Sequence, residues 1–145
     1  MWYGPFKVNY LLKNCFDEKC RPPLGNGVYL VSKKRWQEQP TRKCQPLYVG
    51  SNTGSGERFR TRIGDLIADM FGFFTPKTGH HQGHRPGHSS GGQSLYKDCR
   101  KENVNPGKLY IGWLHPCGCA LCEEARLYHE LKPLLNKRVP RCPRH

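Results

Sequence analysis

Residues 120–136, ALCEEARLYHELKPLLN, set the reading of this chain. Helical spacing brings Ala120, Glu124, Leu127 and Leu131 onto one stripe, so Glu124 is expected to face inward among apolar neighbours. A carboxylate in that setting is costly unless it is neutralised, paired with a base or bound to a cation, which marks Glu124 as a candidate site residue. Its neighbour Glu123 reads as solvated. The helix should end near Lys132, because Pro133 disfavours helical geometry in the residue before it.

Working outward, two short apolar runs read as strands: GVYLV at 27–31 and PLYVG at 46–50, an antiparallel pair joined by a long basic loop. Phe59, Ile63, Leu66, Ile67 and Met70 recur at helical spacing and predict a helix over about 57–71. The stretch 75–93 is a Gly- and His-rich loop without a packing pattern, SLYKDCRKEN at 94–103 is a short helix, and KLYIGWL at 108–114 is a third strand. No internal repeat is present.

The chain has 145 residues, with 24 Lys and Arg against 11 Asp and Glu, a net charge of +13 and a pI near 9.6. That length suits one domain with short arms. The basic excess points to a polyanion, with nucleic acid ahead of a membrane surface, since no amphipathic basic helix or lipidation motif accompanies it. No apolar run approaches the roughly 18 residues of a membrane span, and the segment MWYGPFKVNY lacks the build of a signal peptide, so the expectation is a cytoplasmic protein that does not enter membranes. Nucleoid or nuclear association fits the same charge. Eight cysteines are then expected to be reduced thiols or metal ligands rather than a disulfide scaffold.

With these pieces placed, the chain resembles the GIY-YIG nuclease family. Gly27-Val28-Tyr29 is similar to the family's first motif and Tyr48-Val49-Gly50 to its second. The helix-borne Glu followed by an apolar pair, a Pro and an Asn is matched by Glu124, Leu127, Tyr128, Pro133 and Asn136. The family's helical Arg resembles Arg62 in Phe59-Arg60-Thr61-Arg62-Ile63, with Arg58 as the alternative if the preceding loop is of ordinary length. One departure is Leu66, where many members carry a His; His80, His81, His84 and His88 are conceivable substitutes, although a flexible surface loop is the favoured reading of them.

The resemblance implies an α+β fold with a small three-stranded antiparallel sheet flanked by helices. It implies a nuclease domain at 27–136, preceded by an N-terminal extension at 1–26 and followed by a basic tail at 137–145. It also implies a DNA endonuclease that hydrolyses phosphodiesters with one Mg²⁺, or another divalent cation, bound by Glu124 as the sole protein carboxylate. Arg62 would contact the scissile phosphate, Tyr29 and Tyr48 would activate or orient the water, and Asn136 would hold the local structure or a phosphate. Lys33, Lys34, Arg35, Arg58, Arg60, Lys137 and Arg138 are the expected DNA contacts. A non-catalytic nucleic-acid-binding protein that keeps the fold is the alternative. Structural readings stand beside these roles: Tyr in a strand is often core, and Asn after Pro is often a turn residue.

Cys117, Cys119 and Cys122, with His115 before them, can be read as a zinc site, but C-x-C-x-x-C lacks a distant ligand pair unless Cys142 and His145 fold back. Ordinary thiols are the favoured reading. Cys15, Cys20 and Cys44 form a weaker second group of the same kind.

Overall fold

The computed structural model of the protein describes residues 1–14, 17–53, 58–73, 89–115 and 117–143. In chain order the elements are β1 (Trp2–Lys7), α1 (Val8–Lys13), β2 (Gly27–Ser32), β3 (Pro46–Asn52), α2 (Arg58–Met70), α3 (Ser90–Glu102), β4 (Tyr110–Leu114) and α4 (Ala120–Leu131). The expected α+β class holds, and the sheet is antiparallel throughout. It has four strands in the order β1-β4-β2-β3, not the expected three.

The added strand comes from the N-terminal stretch. β1 pairs with β4 through Trp2↔Leu114, Tyr3↔Trp113, Phe6↔Ile111 and Lys7↔Tyr110, with a register shift between Tyr3 and Phe6 where Gly4 and Pro5 fall. A proline cannot donate to a ladder, so it is tolerated at a sheet edge beside an irregularity, and β1 is such an edge. Phe6 packs on Trp113 at a ring separation of 5.3 Å and stacks on Tyr10 of α1 at 6.4 Å. Removing residues 2–7 is expected to cost on the order of 3 kcal/mol or more, because it strips the outer partner from β4 and uncovers the buried Trp113. Urea denaturation of the shortened chain checks this; an unchanged midpoint would show that β1 adds nothing.

Alternation along β2 splits the core into two layers. Tyr29 and Val31 face α2 and α3, joining Phe59, Ile63, Leu66, Leu95 and Trp113. Val28 and Leu30, with Val49 of β3, face α4 and meet Ala120, Leu127 and Leu131. All six residues of β2 are buried, as a central strand covered on both faces requires. Between Val31↔Tyr48 and Ser32↔Pro46 the register slips by one, leaving Leu47 as the extra residue of a bulge.

The expected helix over about 57–71 is α2, and the expected end near Lys132 is met: Lys132 caps α4 in the left-handed conformation, φ 50°. α3 is longer than expected, starting at Ser90. Ser89 caps it by accepting from the Gly92 N–H at 3.0 Å, and the buried Asp69 of α2 accepts from the Ser89 N–H at 2.7 Å. Gly91 and Gly92, which look like loop in the sequence, are helical because the space is needed. A Cβ at Gly91 would enter the Tyr48 ring, and one at Gly92 would press on the backbone of Leu66 and on Asp69.

Candidate functional site around the outer edge of β3

Strand β3 is the outer strand on its side of the sheet, so one row of its backbone groups needs another partner. The segment after α4 supplies it. The Leu134 and Leu135 N–H groups donate to the carbonyls of Pro46 and Leu47 at 3.2 and 2.8 Å. Asn136 continues the ladder with its side chain: Oδ1 accepts from the Val49 N–H at 3.0 Å and Nδ2 donates to the Val49 carbonyl at 2.9 Å. One amide thus satisfies both polar groups of Val49. Asn136→Ala should cost about 1–3 kcal/mol by leaving them without these bonds. Chemical denaturation checks it, and a loss no larger than that of a surface substitution would remove Asn136 from the edge.

Above this edge Glu124 arrives from α4. Its Oε2 accepts from the Ser51 hydroxyl at 2.5 Å, and Ser51 pairs with Val28 on the face that α4 covers. Burial pushes the Glu124 carboxyl up, opposed by the Ser51 hydrogen bond and by the Arg62 guanidinium. From the other face come the tyrosines. Tyr29 and Tyr48 lie with ring centroids 6.1 Å apart, and Tyr29 crosses Gly50, where a Cβ would collide with its ring and hydroxyl.

The two tyrosines differ in setting. Tyr29 is 4 % exposed, and its pKa is raised well above the ordinary phenol value by burial, then by Tyr48. Tyr48 is half-buried; burial and then Glu124 raise its pKa, while hydrogen bonds with Ser90 and Tyr29 lower it. The phenol of Tyr29 therefore stays protonated at neutral pH, hydrogen-bonded with Tyr48. Arg62, exposed on α2, lies within electrostatic reach of Tyr29, Tyr48 and Glu124 together.

A cleft of about 410 Å³ opens on this edge, lined by Tyr48, Ser90, Gly91, Glu124, Lys137 and Arg138 among others. Of the seven expected DNA contacts, Lys137 and Arg138 line it. Lys33, Lys34 and Arg35 follow Ser32 and lie at the opposite end of the β2–β3 pair from the Ser51–Glu124 contact. Arg60 donates from Nε to the Pro22 carbonyl at 2.8 Å, anchoring the segment before β2, and Arg58 is exposed at the start of α2. Sequence reasoning passed over Ser51, Ser90 and Gly91, whose parts depend on what lies across from them. A larger hollow, about 690 Å³, is apolar, lies between α1 and α2, and has no carboxylate among its lining residues.

Cysteines gather elsewhere. Cys119, Cys122 and Cys142 bring their sulfur atoms within 4.8 Å of one another, close enough to hold a metal ion. Cys117 is not in this group, a correction to the expected trio: its thiol donates to the Leu114 carbonyl at 3.2 Å. His115 is also turned away, with Nδ1 on the Asn26 carbonyl at 2.6 Å. Cys20 and Cys44 are buried in the two different core layers and form no group. Cys15, the loop histidines His80, His81, His84 and His88, and His145 lie outside the described residues, and among those described no helix is long and apolar enough to cross a membrane.

No protein-family model, curated protein or solved structure matches this chain.

Proposed function

We propose that the protein is a GIY-YIG-type, divalent-cation-dependent DNA endonuclease whose active site is the cleft at the outer edge of β3. The observation that carries the proposal is the meeting of Tyr48 and Glu124, from a strand and a helix far apart in sequence, on one polar cleft bordered by Lys137 and Arg138, with Arg62 of α2 within electrostatic reach of both. A half-buried carboxylate and a phenol, both with raised pKa, gathered in a cleft with a basic rim mark a candidate functional site.

A hard divalent ion such as Mg²⁺ fits this donor set, since it needs few protein oxygens and keeps most of its waters. Glu124 offers a carboxylate with one oxygen held by Ser51. The ion, when bound, supplies Lewis-acid charge at the phosphoryl oxygens and lowers the pKa of a coordinated water. The remaining work belongs to the chain. Arg62 holds the scissile phosphate through charge-assisted hydrogen bonds, and its exposed guanidinium can reach an incoming strand. Lys137 and Arg138 draw the DNA backbone into the cleft.

Tyr48, not Tyr29, lines the cleft and is the phenol that orients the attacking water. Tyr29 sits behind it as a positioning residue, hydrogen-bonded with Tyr48 and fixing its ring. Asn136 acts on structure, holding the edge to which the cleft is attached.

The test is incubation of purified protein with supercoiled plasmid and with a flapped duplex at low salt, in Mg²⁺ and in EDTA. Nicked circles or cut flaps in Mg²⁺ alone support the reading. Tight DNA binding with every substrate intact in Mg²⁺ and Mn²⁺ would overturn it in favour of a binding protein.

A further inference from the structure

The cysteine group at the start of α4 is a site of its own. Cys119 is the N-cap of the helix and accepts from the Cys122 N–H at 3.4 Å; Cys122 stands one turn into the helix. Cys142 comes from the far end of the chain. Its sulfur lies 3.7 Å from that of Cys119 and 3.0 Å from that of Cys122. Thiolates around one Zn²⁺ at tetrahedral bonds of about 2.3 Å have sulfur atoms about 3.8 Å apart, so the group needs changes in separation of about 1 Å or less to ligate.

We propose that Cys119, Cys122 and Cys142 bind one Zn²⁺ that clasps the C-terminal segment to the N-terminus of α4. Softness selects the ion: three thiolates suit zinc and are poor ligands for Mg²⁺ or Ca²⁺. Cys119 sits at the N-terminus of α4, an end where the helix dipole favours an anion. On binding, each of the three thiols gives its proton to solvent. A hollow of about 300 Å³, lined by Asn26, Thr53, Gly118, Cys119, Cys142 and Pro143 among others, opens beside the thiols and leaves room for water as a fourth ligand.

The clasp has a structural consequence. Asn136 fixes the chain to β3 and Cys142 would fix it again at α4, so the intervening residues, including Lys137 and Arg138, are pinned at both ends along the cleft. A nearby alternative is a disulfide between Cys122 and Cys142, and the test separates the two.

The full chain, produced in medium without added zinc and kept under mild reductant, is assayed for metal by elemental mass spectrometry. About one zinc per chain is expected, as for a folded thiolate site. Cys142→Ser and Cys119→Ser should each lose most of it, Cys117→Ser should retain it, and circular dichroism of the variants reports folding. Chelation of the wild-type chain should speed tryptic cleavage after Arg138 and Arg141 by roughly tenfold or more, as expected when a segment is released from the fold. Zinc-free wild-type protein, a chain lighter by two hydrogens that carries a Cys122–Cys142 bond, or full zinc retention in Cys142→Ser would each overturn the proposal. Metal content reads the clasp whether or not the protein cuts DNA.

Discussion

Glu124→Gln should abolish cleavage while making the protein more resistant to unfolding. On the activity side, the amide cannot hold a hard cation as a carboxylate does, and Mg²⁺-dependent nicking is expected to fall by at least about a hundredfold, with DNA affinity little changed because Arg62, Lys137 and Arg138 remain. On the stability side, the fold raises the Glu124 pKa through burial. Its linkage contribution is therefore present below the unfolded carboxylate value and lost as pH rises through the folded one, so ionised Glu124 weighs against folding at neutral pH. A glutamine can still accept from Ser51 without carrying that charge. The expected signature is a higher melting temperature at pH 7, no gain well below the carboxylate range, and no cleavage. Parallel melting and nicking assays read both; a lower melting temperature with cleavage intact would show that Glu124 is a structural acid.

The same shift sets the direction of the pH dependence. In metal-limited conditions, cleavage should begin to fail on acidification at a pH above the usual carboxylate range, because Glu124 takes up its proton early. No loss assignable to Tyr29 should appear near neutrality, since burial holds it as the phenol.

Gly50→Ala carries the second large effect. The site depends on Tyr29 lying flat across Gly50, its partner on β3. A single added methyl would occupy the space of the Tyr29 ring and hydroxyl, and Tyr29 is enclosed by Tyr48, Phe59 and the core. Neither the central strand nor the ring can give way cheaply, so a loss of about 1–3 kcal/mol is expected, together with a fall in cleavage as Tyr48 loses its support. Gly64→Ala is the control: nothing lies near a Cβ there, the residue is exposed in α2, and replacing a helical glycine should stabilise by roughly 0.5–1 kcal/mol. Equal effects at the two positions would remove Gly50 from the site.

Much of this architecture was legible from periodicity. The alternating or continuous apolar runs gave β2, β3 and β4 to within a few residues, and the 3.6-residue spacing gave α2 and α4. What stayed hidden was hidden for physical reasons. Gly4 and Pro5 interrupt the alternation of β1, and only the position at the sheet edge makes that interruption tolerable. Gly91 and Gly92 carry loop chemistry in the sequence, yet they are helical because Tyr48 and α2 approach too closely for any side chain.

The site divides in the same way. Glu124 was visible as an acid on an apolar stripe, and the tyrosines, Arg62 and Asn136 only through the resemblance to the GIY-YIG family. Their partners were not, because Ser51, Ser90 and the backbone of Val49 are ordinary residues until β3 becomes an edge and the chain after α4 returns along it. Cys142 was named in the sequence only as a cysteine that could fold back; twenty residues from Cys122, it joins that thiol only once the tail has returned to α4.

The most direct test of the central claim is where a hard cation settles. Titrating isotope-labelled protein with Mn²⁺ and following paramagnetic line broadening should bleach the amides of Ser51, Glu124 and their neighbours on β3 and α4 first, and Glu124→Gln should abolish that focus. Broadening that spares the β3 edge, or that is unchanged in Glu124→Gln, would contradict a single-carboxylate metal site and the nuclease built on it.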